Sequence, residues 1–369
     1  MKIVICGLAI TSSWGNGHAT TYRSLTRALR ARGHDIVFFE RDLEWYRSNR
    51  DMPEPPFCRV HIYQRWPDVA SCLRRELADA EVAIVGSYFP DGIDAVSQVL
   101  DSRAGIKAFY DIDTPITVSK LRTGDAEYLR QDQVAGFDLY FSFTGGPMLR
   151  EIETRFGARR ALPLYCSFDP DRHRFSRAEP RFECDLSYMG TYAPDRQGKL
   201  AEMLCRPAAR LPHQRFIVAG PQYPKNIEWP GNVKHIIHLE PKFHAAFYCS
   251  SRMTLNLTRK EMVEAGYSPS VRLFEAAGSG AAIISDWWTG LDAFFHPHEE
   301  ILTADSAEQV IQYLADISWQ EARSIGRRAR ERVLAEHSAE KRAAQFEDYV
   351  AAKSQLRHSR SPVQSVATS

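Results

Sequence analysis

The sequence lacks several features that mark special classes of protein. Its seven cysteines include no Cys-x-x-Cys pair, so neither a disulfide framework nor a structural zinc site is predicted. No run reaches the roughly 18 uninterrupted apolar residues that a membrane-spanning helix needs. Basic and acidic side chains nearly balance, at 47 against 46, which gives no electrostatic basis for binding nucleic acid or an anionic membrane. We therefore expect a cytoplasmic globular protein.

What the sequence does contain is a regular alternation of short apolar segments and amphipathic segments. Apolar segments at 2–6 and 35–40 flank a helical pattern at Thr20–Arg32, and Gly33 ends that pattern. A strand, a helix and a strand within 40 residues predict a parallel βαβ unit. Because this alternation fills most of the chain, we predict an α/β fold in which two doubly wound, Rossmann-like domains face each other across a cleft.

One polar segment, residues 166–183, interrupts the alternation. It contains two prolines and has no apolar periodicity, which indicates a linker. The sequence thus predicts a first domain at 1–165 and a second at 184–335. We expect a final helix at 336–352 that packs back towards the first domain, and a disordered tail of small polar residues at 353–369.

The most informative segment is 266–286, which predicts a loop, a helix and a buried strand. Its loop, Ser268–Ser270, opens the helix at Val271, where unpaired N–H groups and the positive end of the helix dipole attract phosphate. Glu275 lies further along the same helix, where its carboxylate could accept hydrogen bonds from a ribose. A phosphate site and a sugar-binding acid on one element indicate a nucleotide-sugar site.

Cations follow two other predicted strands of the second domain. One strand ends near Gly190 and Thr191, and Arg196 follows the loop. Arg259 and Lys260 follow the other strand. A single surface arginine is usually only solvated, but three cations at strand ends could together hold a diphosphate.

In the first domain, two acids follow a predicted strand in the segment YDIDTP. Asp111 and Asp113 are alternate residues, so in an extended chain they point to the same side. Such a pair could hold a metal ion or act as a general base. Asp111 is the candidate for acid or base work in the cleft, whereas Asp113 either shares that role or caps the next helix. Gly145 and Gly146 follow another strand and predict a tight turn or a close backbone approach at the rim of the cleft.

A Gly-rich loop follows the first strand. This loop imitates the dinucleotide-binding fingerprint through Gly15, Gly17 and Thr20, with Glu40 at the end of the second strand. Two features differ from the fingerprint, because the third glycine is missing and the loop is long. His18 is a candidate cleft base or phosphate contact; alternatively, it only faces solvent from a capping loop. His235, His238, His296 and His298 lie near turns without a matching cluster of acids, so we predict no metal site and no cofactor.

Several motifs resemble those of GT-B glycosyltransferases. EAAGSGAAIISD resembles a block of the family-4-like retaining enzymes, SFDPDRHRF their linker and EHSAEKRAAQF their last helix. The segments YDIDTP, SFTGGP, YMGTYAPDRQ and GYSPSVRLFEAAGSG are more similar still to the CgeB-like (spore maturation protein B) group.

This resemblance implies roles for particular residues. Glu275 would bind the ribose, and the Ser268–Ser270 loop and Val271 would contact the diphosphate. Arg196 occupies the position at which the family has a diphosphate-binding lysine or arginine. Tyr267 departs from the pattern, because the family keeps a second acid there. The implied activity is metal-independent, retaining transfer of a sugar from a UDP-sugar, held by the second domain, to an unknown acceptor held by the first.

Three other activities remain open at the level of sequence. A GT-B-type nucleotide-sugar epimerase would share the donor site. A catalytically inactive nucleotide-sugar-binding protein would be consistent with the missing acid at Tyr267. A nicotinamide-dependent oxidoreductase would use the Gly15 loop and Glu40. The sequence does not indicate an oligomeric state.

Overall fold

The computed structural model describes residues 1–14 and 17–358. Gly15 of the predicted Gly-rich loop therefore lies outside the described residues, as does the tail from 359 to 369.

The first domain is built on seven parallel strands. In chain order they are β1 (Lys2–Cys6), β2 (Asp35–Arg41), β3 (Arg59–Tyr63), β4 (Val82–Gly86), β5 (Ile106–Asp111), β6 (Leu139–Ser142) and β7 (Ala161–Pro163). The connecting helices are α1 (Gly17–Ala31), α2 (Glu44–Arg47), α3 (Trp66–Leu77), α4 (Gly92–Asp101), α5 (Thr114–Thr123), α6 (Gln131–Val134) and α7 (Pro147–Thr154). The spatial order is β3-β2-β1-β4-β5-β6-β7, and the central strands are buried on both faces, which explains their continuous apolar sequence.

The second domain repeats this plan with six parallel strands. They are β8 (Cys184–Met189), β9 (Phe216–Ala219), β10 (Val233–Ile236), β11 (Ser251–Asn256), β12 (Ala282–Ser285) and β13 (Leu302–Thr303). The helices are α8 (Pro194–Leu200), α9 (Arg206–Arg210), α10 (His244–Ser250), α11 (Lys260–Ala265), α12 (Val271–Gly278), α13 (Ala307–Asp316), α14 (Trp319–Glu336) and α15 (Ala339–His358). The spatial order is β10-β9-β8-β11-β12-β13.

Both sheets reverse their winding at the same relative place. The first strand of each domain, β1 or β8, lies between its second strand and its fourth, β4 or β11. The connections from such a pair leave on opposite faces of the sheet and open a crevice at the carboxyl ends of the strands. The predicted fold of two doubly wound α/β domains is thus confirmed, and the loops after β1, β4, β8 and β11 are the ones positioned to form a site.

The linker and the last helix tie the domains together. Phe168 in the linker is fully buried, and it forms an isolated bridge with Ser338, just before α15. The α15 helix packs on α1 and β5 of the first domain, where Glu347 accepts a hydrogen bond from Arg32 Nε at 2.9 Å.

The end of α15 corrects one expectation. Residues 353–358, which the sequence assigned to a disordered tail, continue the helix because Lys, Gln, Leu and Arg are good helix formers. Among the described helices, none combines the length and the apolar character that crossing a bilayer requires.

Candidate active-site cleft

Two adjoining cavities lie between the domains. The first, of about 460 Å³, has walls from both domains. Its lining includes Gly17, His18, Tyr46, Tyr88, Asp113, Arg196, Arg259, Ser268, Ser270 and Val271. The second, of about 340 Å³, shares Gly17, Arg196 and Val271 with the first and continues along the second domain to Glu275. The structure therefore brings most of the predicted site residues into one cleft.

His18 and Asp113 form a pair on the first-domain wall. His18 lies at the start of α1, is only 9% exposed, and places Nε2 3.5 Å from Oδ2 of Asp113. Its ring also meets Tyr88 edge-on, with 5.5 Å between the ring centroids. Asp113 occupies the N-cap position of α5, as one alternative predicted, but its side chain makes no capping hydrogen bond. The carboxylate of Asp113 instead faces the histidine and can orient it or stabilise its charged form.

Asp111 does not share this wall, contrary to the prediction of a catalytic role in the cleft. It is fully buried and accepts hydrogen bonds from Thr117 Oγ1 at 2.7 Å and from Tyr140 OH at 2.6 Å. Burial raises the pKa of Asp111 to about 6, against the opposing effect of these two hydrogen bonds. The two acids separate because β5 ends at Asp111 and the chain then turns into α5, so the extended geometry behind the prediction is not maintained.

Glu40 also has a structural role. It is fully buried, and its carboxylate accepts hydrogen bonds from the backbone N–H groups of Ile10, at 2.6 Å, and Thr11, at 2.9 Å. The hydroxyl of Thr11 donates a third, at 2.5 Å. This carboxylate fastens the long β1–α1 connection to the sheet and has no role towards a ribose. The dinucleotide interpretation therefore loses the acid on which it depended.

The start of α12 faces the region that the two cavities share. Ser270 is at its N-cap position, yet the hydroxyl of Ser270 donates to Asn256 Oδ1 at 2.7 Å and makes no capping bond. The helix N-terminus at Val271 thus opens towards the cleft with its dipole directed at any anion there. Ser268 is largely occupied elsewhere, because its hydroxyl bonds that of Thr144 at 2.8 Å and joins the two domains.

The three predicted cations divide between the cleft and the surface. Arg196 lines both cavities, and one of its terminal nitrogens donates to the carbonyl of Thr191 at 2.7 Å. Burial, with a further effect from Arg272, lowers the pKa of Arg196. Arg259 lines the first cavity.

Lys260 instead begins α11 with its side chain 73% exposed and 3.7 Å from Glu264, and it lines neither cavity. The structure therefore does not bring Lys260 into the cleft with the other predicted donor-binding cations.

Arg272, one residue into α12, supports the same wall. Its Nη1 donates to Asn256 Oδ1 at 3.1 Å, and its guanidinium lies over the Tyr188 ring at 5.1 Å. Because Arg272 also lines the second cavity, this charge adds to that of Arg196 near the α12 N-terminus.

Glu275 lies deeper in the second cavity, at only 7% exposure. Burial raises the pKa of Glu275 to about 7, although Arg272 opposes the shift. Two histidines that the sequence did not single out lie beside it: His173 from the linker and His244 at the start of α10. One ligating atom from each of these three residues lies within 4.8 Å of the other two. No sequence signal could have found this group, since the two histidines stand 71 residues apart in unrelated segments.

Both of these histidines are held neutral. Burial lowers the pKa of His173 to about 3 and that of His244 to about 4. The phenol of Tyr248, also in the wall of the second cavity, is buried and makes no hydrogen bond to any residue that the structure describes.

The predicted cleft glycines serve different purposes. Gly145 donates its N–H to the carbonyl of Tyr267 at 2.9 Å, and a Cβ at Gly146, whose φ is +60°, would lie 2.4 Å from the Tyr267 ring. Tyr267 is therefore a contact between the domains and lines neither cavity. Gly190 and Thr191, by contrast, line the second cavity.

Comparisons with known proteins agree with this architecture. Residues 196–348 match a family model described as glycosyl transferase-like. A search of curated proteins found no match.

Solved structures that share the fold cover nearly the whole chain. Sucrose-phosphate synthase from Thermosynechococcus elongatus is 16% identical, with a TM-score of 0.68 over 97% of this chain and 99% of that one. Anabaena HepE in complex with UDP and glucose is 13% identical, with a TM-score of 0.66 over 95% and 100%. An alpha-glucosyltransferase in complex with UDP is 12% identical, with a TM-score of 0.68 over 95% and 100%. The chain thus has the fold of GT-B glycosyltransferases. The residues that match the glycosyl transferase-like family model include Arg196 and Glu275.

Proposed function

We propose that this protein is a glycosyltransferase that moves a sugar from a nucleoside-diphosphate sugar to an acceptor. One observation carries the proposal: the α12 N-terminus, Arg196 and Glu275 follow one another along a single wall, opposite the His18–Asp113 pair. UDP is the proposed nucleotide because structures with this fold include complexes with UDP or a UDP-sugar. We further propose that the protein is related to the CgeB-like group, that the sugar is a hexose and that the protein is cytoplasmic.

The second-domain wall would bind the donor. The ribose hydroxyls would donate to Glu275, and the diphosphate would lie at the start of α12 between Arg196 and Arg259. Negative charge grows on the leaving diphosphate as the bond to the sugar breaks, and fixed cations and N–H groups stabilise that charge without rearranging. We propose that this chemistry requires no metal.

The first-domain wall would bind the acceptor. Tyr46 and Tyr88 give this side of the first cavity aromatic surfaces next to His18. His18 would take the proton of the acceptor hydroxyl as that oxygen bonds to the sugar and the diphosphate leaves, and Asp113 would stabilise the imidazolium that forms. Asp113 thus takes the role that the sequence predicts for Asp111.

Retention of the anomeric configuration is part of the proposal, and it rests on the resemblance to family-4-like enzymes. The His18–Asp113 pair favours a second course. A base on the wall opposite the diphosphate suits attack from the far side of the sugar, which inverts the configuration. Proton NMR of the first-formed product distinguishes the two courses.

A binding panel tests the proposal directly. Thermal shift and calorimetry should show binding of UDP and a UDP-sugar and no binding of NADH, and transfer to an acceptor should persist in EDTA. An epimerised UDP-sugar formed without acceptor would indicate the epimerase instead. Donor binding without transfer to any tested acceptor would favour a binding protein, and failure to bind any nucleotide would overturn the proposal.

A further inference from the structure

The group formed by His173, His244 and Glu275 has the composition of a transition-metal site. Two imidazoles and a carboxylate are ligands that zinc favours, and here the three ligating atoms lie within 4.8 Å of one another. Around a tetrahedral zinc ion such atoms stand about 3.4 Å apart, because each bond measures about 2.1 Å. Small side-chain rotations therefore suffice to close the group on an ion.

The hydrogen bonding of the two histidines supports this assignment. His173 is 5% exposed, its Nδ1 has no hydrogen-bond partner among the described residues, and its Nε2 stops 3.7 Å from Glu275. A buried ring nitrogen without a hydrogen-bond partner is costly unless something else binds it. His244 directs Nε2 at the carbonyl of Leu239, 3.2 Å away, so that nitrogen carries the proton and Nδ1 keeps a lone pair. Metal-binding histidines are commonly held in this way.

The surrounding charges leave the site able to accept a cation. The three side chains line a cavity of about 60 Å³ that also includes Arg23 and Arg172. Arg23 is paired with Asp51 at 2.8 Å, and Arg172 lies 3.9 Å from Asp169. The nearest acids of these two arginines are thus Asp51 and Asp169, and among the described residues neither arginine forms an ion pair with Glu275.

We propose that His173, His244 and Glu275 bind a zinc ion, and that zinc and the nucleotide compete for this end of the cleft. The competition rests on the proposed function, since it requires Glu275 to bind the ribose. Zinc would then be an inhibitor rather than a cofactor, consistent with the metal-independent transfer proposed above.

Zinc binding is measured first, without nucleotide. Protein freed of metal with a chelator is titrated with zinc in a calorimeter, and one site is expected. His173→Ala and His244→Ala should each weaken zinc binding by about tenfold or more. His213→Ala is the control, because this exposed histidine lines none of the three cavities. The two test variants lie on different elements, so either suffices if the other fails to fold. The zinc site is overturned if the natural protein shows no saturable zinc binding. It is also overturned if the folded test variants bind zinc as tightly as the natural protein.

The competition is measured with UDP, with and without saturating zinc. Zinc should lower UDP affinity in the natural protein but not in His173→Ala, which also controls for zinc bound by UDP in solution. If zinc binds and UDP affinity does not change, the competition is overturned. If UDP fails to bind even without zinc, the proposed function fails while the zinc titration still decides the metal site.

Discussion

The Nε2 atom of His18 lies 3.5 Å from the carboxylate of Asp113 on the wall that faces the α12 N-terminus. His18 lies at the start of α1, after β1, and Asp113 lies just before α5, after β5, so only the folded first domain brings them together. A histidine held by an acid in a partly buried cleft is well placed to move a proton.

Replacing His18 tests this relationship. His18→Ala should lower kcat by about 10² to 10⁴-fold, the usual loss for a general acid or base, while UDP affinity changes little. Asp113→Asn should lower kcat less, because the imidazole remains. Steady-state kinetics with calorimetry separates the two effects, and the exposed His213→Ala is the control. Full activity in His18→Ala would remove the histidine from the mechanism.

Glu275→Gln should weaken UDP binding by about tenfold to a hundredfold, because hydrogen bonds to a charged group contribute about 1.5–3 kcal/mol. Calorimetry in EDTA measures this without interference from metal ions. Glu264→Gln is the matched control, since Glu264 is 63% exposed on α11 and lines neither cavity. Equal UDP affinity in the two folded variants would contradict the ribose assignment.

Arg196→Ala and Lys260→Ala form a second matched pair. Loss of Arg196 should reduce UDP affinity by about tenfold or more, because it removes a partly buried cation from both cavities. Loss of Lys260 should change the affinity by less than about twofold, as expected of an exposed charge. Comparing UDP with uridine shows whether the effect depends on the phosphates. A larger loss for Lys260→Ala than for Arg196→Ala would reverse the assignment.

Periodicity was sufficient to predict the fold. The βαβ alternation gave two doubly wound domains, because the strands are buried on both faces and therefore read as apolar runs. The end of α15 was placed too early because a polar helical segment and a disordered tail have similar compositions.

The positions of the site residues were harder to predict from the sequence than the fold, because the direction of a side chain depends on where its strand or helix ends. Asp111 and Asp113 were predicted to point the same way, but the turn into α5 buries one and exposes the other to the cleft. His173 and His244 carry no local pattern and meet Glu275 only through the packing of the linker and α10 against α12.

The buried Asp111 predicts a pH dependence of stability. Its pKa is raised to about 6 by burial, above the ordinary value of 3.8, so the folded state holds its proton over a pH range in which the unfolded state has lost it. Stability from this group is therefore present below about pH 4 and is lost as the pH rises towards 6. Between pH 5 and pH 7 the loss should be on the order of 1 kcal/mol.

Asp111→Asn removes this titration, since an amide does not ionise, and it retains one acceptor for Thr117 or Tyr140. Urea unfolding at pH 5 and pH 7 should therefore show a smaller fall in the free energy of unfolding for Asp111→Asn than for the natural protein. Glu264→Gln, which changes an exposed acid, should leave the pH dependence nearly as it is. If the natural protein and Asp111→Asn lose the same stability between the two pH values, the carboxyl of Asp111 does not titrate in this range.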